Sequence, residues 1–238
     1  MAAESPRRTR GQALARRVAL ALALLVVVAV GAGVARFALA PEVVYDVASI
    51  RDAPAYQDPA LLDRAWALPV AAAYGRGELL SQPRASYCGP TSLANVKLSR
   101  GDPDATPAAV LDGTGLCWIG QCIPGLTLDE LAALARMKVD GDVELLRDLT
   151  LDEFRAHMRR SNDPDRRYVI NFLRGPLFRR GGGHHSPIGG YLEAEDLVLV
   201  LDVNAEFQPW LVATARLFDA MDTIDAATEA KRGLLLIR

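Results

Sequence analysis

The hydrophobic pattern changes character three times along the chain. Val18 to Ala35 is an unbroken run of 18 uncharged residues, all apolar or glycine. As a helix it would span about 27 Å, close to the hydrocarbon core of a bilayer. Residues 41 to about 80 are mixed, with Pro54 and Pro59 expected to interrupt any long element. From Cys88 onward, Gly89-Pro90-Thr91-Ser92 leads into Leu93, Ala94, Val96 and Leu98. A helix is expected from Cys88 or just after it, since proline suits a first helical turn, where its missing N–H has no intrahelical partner to lose. Thr127-Leu-Asp-Glu130 and Thr150-Leu-Asp-Glu153 are capping boxes, in which hydroxyl and carboxylate satisfy orphan backbone donors. The first opens a helix with Leu128, Leu131, Ala132 and Ala135 on one face. The second opens one with Leu151, Phe154 and Met158 aligned, and His157 as a surface or packing residue. Strands follow at Tyr168–Phe172 and Leu197–Val203, with Leu234–Ile237 as a closing strand. Between the first two lie Gly181-Gly-Gly183, His184 and Gly189-Gly190. Helices first and strands afterwards predict an α+β fold, a helical part followed by an antiparallel sheet, rather than alternating βαβ units.

Charge sharpens the reading of the first segment. Residues 1–17 carry five arginines against Glu4 alone. Basic residues before an apolar run stay cytoplasmic, so 1–17 reads as a basic cytoplasmic tail and 18–36 as a single transmembrane anchor. Residues 41–238 then stand on the exported, periplasmic side of the inner membrane. A cleaved signal peptide is the competing reading, because Ala38-Leu39-Ala40 has the small-x-small pattern of such sites. The formal net charge of −2 gives no global attraction to nucleic acid, which is not expected as a partner.

The three cysteines are Cys88, Cys117 and Cys122. In an exported domain the last two, five apart in a loop-like stretch, either bridge or stay as small buried hydrophobes. A bridge would leave Cys88 as the odd, reactive thiol. The histidines are His157, His184 and His185, and no second cysteine pair accompanies them, so no protein-built metal site is expected.

Cys88 has the surroundings that a thiol nucleophile needs. At a helix N-terminus, the dipole and free N–H groups favour thiolate. His184 lies 96 residues on, where a glycine-rich turn enters a strand, and can serve as base. Asp202 ends the next strong strand and can fix the imidazole tautomer if the two strands are antiparallel neighbours. Gln82, six residues before Cys88, can supply an amide N–H to an oxyanion together with the Cys88 backbone N–H. Singly each signal is weak; in this order they form a set.

The order carries a family resemblance. Gly183-His184-His185-Ser186-Pro187-Ile188-Gly189-Gly190-Tyr191, followed by a strand ending Leu201-Asp202-Val203, resembles the catalytic half of phytochelatin synthases. Their pattern there is Gly-His-Phe-Ser-Pro-Ile-Gly-Gly-Tyr, then Leu-Asp-Val. Gln82 through Tyr87-Cys88-Gly89, Phe218–Asp225 and Lys231–Ile237 are similar to other stretches of that family. The resemblance implies a papain-like fold for 41–238 and attack by Cys88 on the Cys–Gly bond of glutathione. A γ-glutamylcysteinyl thioester would then pass to a second glutathione or to water. It makes His184 base then acid, Asp202 its orienter and Gln82 the oxyanion donor. Arg174, Tyr87 and Gly183 become substrate-binding candidates. Heavy metal, cadmium or zinc, would arrive as glutathione thiolate rather than in a built-in site.

Two departures stand out. His185 replaces the family's Phe and is a rival base. Asn204-Ala-Glu-Phe207 replaces Ala-Arg-Phe-Lys-Tyr and removes two cations, favouring water as acceptor. The alternatives are a membrane-associated processing peptidase of the double-glycine leader type, whose nucleophile segment is also similar, and a non-enzymatic thiol or metal-binding module.

Overall fold

The computed structural model describes residues 6–38, 43–116 and 125–238. Two compact units are present, Met1–Glu42 and Val43–Arg238. The first contains helix α1, Pro6–Ala38, of 33 residues. Its stretch Ala15–Ala32 has mean hydropathy 2.1, none of it buried, so by length and composition it could cross a membrane.

The second unit begins with short helices where the sequence suggested interruption. α2 (Pro59–Trp66) and α3 (Pro69–Tyr74) each start on their proline. Asp58 caps α2 through the Leu61 N–H at 2.8 Å. A proline in the first turn forfeits no intrahelical bond, so Pro59 opens a helix instead of breaking one. α4 (Cys88–Leu98) begins at Cys88 itself. α5 (Pro107–Leu111) and α6 (Leu128–Lys138) follow, α6 with its capping box formed. After strand β1 (Val143–Leu146) comes α7 (Leu151–Arg160), whose box is also formed, with Phe154 and Met158 buried.

The remaining chain supplies β2 (Arg167–Leu173), α8 (Gly175–Phe178), β3 (Gly183–Leu192), β4 (Leu197–Val200), β5 (Trp210–Ala213), α9 (Thr214–Met221), the two-residue strands β6 (Ile224–Asp225) and β7 (Ala230–Lys231), and β8 (Leu234–Ile237). One six-stranded antiparallel sheet runs β1-β8-β2-β3-β4-β5; β6 and β7 pair with each other. β4 is shorter than expected: Asp202 lies two residues beyond its end. Gly189-Gly190 sits within β3, at a register irregularity between Ile188 and Gly190, not in a turn.

The sheet is buried on both faces, and alternate residues of each strand divide between them. Val169, Leu199, Leu201, Leu211, Leu235 and Ile237 pack with α4 and α6. Tyr168, Ile170, Phe172, Val198, Val200, Trp210 and Leu236 pack with α7 and α9. α4 lies against β3, and this contact brings the start of one to the start of the other.

Candidate active site

α4 places Cys88 at its first residue, with Gly89 and Pro90 after it in a buried first turn whose leading N–H groups have no intrahelical partner. A Cβ at residue 89 would stand 3.1 Å from Leu131 Cδ1, so glycine there lets α4 approach α6 closely. The preceding segment is fastened twice. Asn95, buried in α4, accepts from Leu80 N–H at 2.8 Å and donates to Leu80 C=O at 3.0 Å. Gln82 N–H donates to Val203 C=O at 2.7 Å, joining the segment before Cys88 to the residue after Asp202.

Asp202 is fully enclosed and surrounded by donors. His184 Nε2 lies 3.0 Å from Oδ1, Arg174 Nη2 bonds both oxygens at 2.8 and 2.9 Å, and Trp210 Nε1 reaches Oδ2 at 2.9 Å. The Asn204 backbone N–H adds a bond to Oδ1 at 2.9 Å. Burial alone would raise this carboxyl, but the His184 and Arg174 interactions outweigh it and hold Asp202 far below the usual carboxylate range. The carboxylate accepts at Nε2 of His184, which leaves Nδ1 of that ring for the thiol.

His184 is bonded to Asp202 and is coupled electrostatically to Cys88. Burial pulls the imidazole down, and the Asp202 charge more than restores it, so His184 ends above its ordinary value. For Cys88 burial pushes upward, yet hydrogen bonds from His184 and His185 carry the thiol well below its ordinary range. A thiolate beside an imidazolium is the arrangement that nucleophilic cysteine chemistry requires.

The other expected residues take varied places. Arg174, a substrate-binding candidate by sequence, has its guanidinium turned onto Asp202 and lying 3.8 Å over the Phe207 ring. Its structural position is behind the carboxylate, which helps to explain how Asp202 stays ionised when enclosed. Gln82 directs its amide Nε2 to the carbonyls of Arg84 (3.0 Å) and Ala85 (3.2 Å), both in its own loop. Tyr87 is half-buried directly before Cys88, and Gly183 is exposed at the start of β3. A cleft of about 540 Å³ opens beside Asp202, lined in part by Trp66, Arg76, Leu79, Ser81 and Gln208. Cys117 and Cys122 lie outside the described residues. Among the described residues, no cluster of three His, Cys, Asp or Glu could hold a metal ion.

Three participants were not anticipated. Trp210 and the Asn204 N–H bond Asp202, and Asn171 bonds His185. Only Asn171 carried a sequence signal: it is a lone amide inside the apolar strand Tyr168–Phe172.

Comparison with known proteins bears on the same residues. Glutathione γ-glutamylcysteinyltransferase 3 of Lotus japonicus is 38% identical over 119 residues, 48% of this chain and 25% of that protein. Glutathione γ-glutamylcysteinyltransferase 1 of Triticum aestivum is 40% identical over 90 residues, 37% of this chain and 18% of that protein. The match thus spans about a quarter or less of these relatives' length. Among solved structures, the peptidase domain of Streptococcus ComA, a bifunctional ABC transporter involved in a quorum-sensing pathway, is similar with a TM-score of 0.44. The identity is 15%, over 67% of this chain and 95% of that one. The family pattern described as phytochelatin synthase matches residues 59–234, which include Cys88, His184 and Asp202, and the chain belongs to that family.

Proposed function

We propose that the chain is a glutathione γ-glutamylcysteinyltransferase of papain-like mechanism, with Cys88 as nucleophile, His184 as base then acid, and Asp202 as the group that orients it. The observation that carries this reading is the meeting of these three side chains inside the family-matched residues. The Cys88 thiolate attacks the carbonyl carbon of the Cys–Gly bond of glutathione; an S–C bond forms. The C–N bond breaks, and glycine leaves with a proton from His184. In the second step the amine of another glutathione, or water, attacks the thioester and gives its proton to His184. The C–S bond breaks and its electron pair returns to Sγ.

The backbone N–H of Cys88 is the first donor for the oxyanion. Gln82 can become the second by exchanging its bonds to Arg84 and Ala85 for substrate. The cleft beside Asp202 lies within the range of small-ligand sites, and Arg76 at its edge, now paired with Asp63, could exchange that partner for a substrate carboxylate. Tyr87 directly precedes Cys88 and Gly183 directly precedes His184, and both would border the bound peptide. Cadmium or zinc enters as metal-glutathione thiolate, a form of substrate. Helix α1 is the tether, with residues 41–238 on the exported face of the inner membrane.

The test uses the full chain in detergent, incubated with glutathione with and without cadmium or zinc, with products followed by mass and Cys88→Ala alongside. (γ-Glu-Cys)₂-Gly identifies transfer, and γ-glutamylcysteine with glycine alone identifies hydrolysis. Absence of any Cys88-dependent product would refute the glutathione reading.

A further inference from the structure

Cys88 meets two imidazoles. His185 Nδ1 lies 3.7 Å from Sγ, and the far nitrogen of the same ring, Nε2, lies 2.8 Å from Nδ2 of Asn171. Register explains the arrangement. β2 and β3 pair Phe172 with His184 and Asn171 with His185. Adjacent residues of a strand point to opposite faces. His184 therefore shares the Phe172 face, its ring edge-on to Phe172 at 5.5 Å between centroids. His185 and Asn171 share the face that α4 covers, and both are buried. Ser92 of α4 donates to the His185 carbonyl at 3.2 Å, which fixes β3 against the helix bearing Cys88.

The two rings have different partners, and the partners decide the tautomers. Asp202 can only accept, so His184 carries its proton on Nε2 and keeps Nδ1 for exchange with the thiol. With the Asn171 NH₂ placed against it, Nε2 of His185 presents its lone pair, since an NH₂ can only donate. In the neutral ring the proton then sits on Nδ1, facing Sγ. Asn171 Oδ1 is buried without a partner in this orientation; turned over, the amide would present Oδ1 to an Nε2–H and leave its NH₂ unpartnered instead, so the tautomer of His185 is the point the experiment must decide.

We propose that His185, held in the Nδ1–H tautomer by Asn171, is a second catalytic imidazole that donates a hydrogen bond to the Cys88 thiolate while His184 moves the proton. The inference rests on reading Cys88 as the nucleophile, but not on which acyl donor it attacks. The position is one where the family motif has Phe, so the donor is a property of this chain's own sequence. A hydrogen bond to the charged form stabilises it. The same bond is lost when Sγ becomes a thioester, so it also favours the thiolate as leaving group. The thiol's fall below its ordinary range is in keeping with two donors. Asp202 and Arg174 act on His184, and the buried Arg232 guanidinium lies beside Gly183 at the start of the same strand.

Two measurements on the full chain in detergent test this without glutathione turnover. In the first, iodoacetamide alkylation at Cys88 is followed by peptide mass against pH; the thiolate forms an S–C bond and iodide leaves. We expect His185→Phe to raise the midpoint by about one pH unit, roughly a tenfold slower reaction below it. An unchanged midpoint in a folded His185→Phe variant overturns the proposal. The second, which needs no variant at residue 185, is ¹⁵N NMR of the three histidines, with His157→Gln for assignment. A protonated Nδ1 and bare Nε2 on His185 support the proposal; the reverse tautomer refutes it. If glutathione is not turned over yet the midpoint shifts, the acyl donor was misread and the second imidazole stands.

Discussion

His184 Nε2 lies 3.0 Å from Oδ1 of Asp202, a carboxylate with no solvent exposure of its side chain. An enclosed carboxylate is stable only while its donors remain, and each of those donors can be removed separately.

Arg174 is the first to test. Arg174→Met keeps much of the side-chain length but leaves Asp202 without its cation. Removing one member of a buried pair costs about 3–5 kcal/mol, and we expect a fall toward that range in urea unfolding. The pH dependence follows from the sign of the Asp202 shift. Its carboxyl is depressed in the folded protein. The stability it brings is present above the ordinary unfolded value, about 3.9, and is lost only as pH falls through the depressed one. In Arg174→Met the carboxyl is less depressed, so that contribution should be smaller and its acid loss complete at higher pH than in the wild type.

Asp202→Asn tests the orientation of His184. Without the negative charge the imidazolium loses its main support, so turnover should fall by roughly 10²–10⁴-fold. Linkage gives opposite directions for the two reacting groups. The depressed Cys88 thiol contributes stability above the ordinary thiol range and loses it as pH falls through its folded value. The raised His184 contributes fully below about 6.5 and loses it as pH rises through its folded value. Alkylation of the wild type should therefore persist well below pH 8, and Asp202→Asn should lose that acidic limb.

Asn95→Leu removes the clamp on Leu80 and leaves a backbone N–H and C=O without their partner. We expect destabilisation of about 1–3 kcal/mol by thermal or urea unfolding. Because the clamped segment leads into Gln82, turnover should fall further than stability predicts. Turnover at the wild-type rate in the folded variant would show that the segment's position does not matter to the site.

Gly189→Ala places a methyl group 2.8 Å from Leu199 Cδ2 and 2.9 Å from Leu201 Cδ2. Both leucines lie in the core beneath β3, where overpacking costs about 1–3 kcal/mol. A lowered melting temperature with unchanged Cys88 alkylation would confine the effect to packing; loss of both would mean that the irregularity also sets the height of His184.

Much of this architecture could be read from local chemistry. The two capping boxes define helix starts with side chains that lie within four residues of each other, so sequence contains the whole interaction. Tyr168–Phe172 and Leu234–Ile237 are apolar runs too short for helices and are buried on both faces. Pro59 and Pro69 were harder, because the same residue ends a helix in its middle and begins one at its first turn. β5 and α9 run together at Ala213–Thr214 without a side-chain cap, so no residue marks the change. In the site, Cys88, His184 and Asp202 were legible because their spacing matched a motif. Arg174's partner, the Gln82 amide bonds and the Asn171–His185 pair were not. Each depends on which face a strand residue turns or how a loop folds back, and a one-residue change of register would reverse it.

The indole of Trp210 donates its N–H to the Asp202 carboxylate and lies 5.9 Å, ring to ring, from Phe172. One of three tryptophans in the chain, it is bonded to the same carboxylate that supports His184. Its emission should therefore respond when the imidazole changes charge or Asp202 is released from a donor. The protein carries an optical reporter next to its own acid group, and a stopped-flow trace of Trp210 fluorescence could follow the proton through a single turnover without any added label.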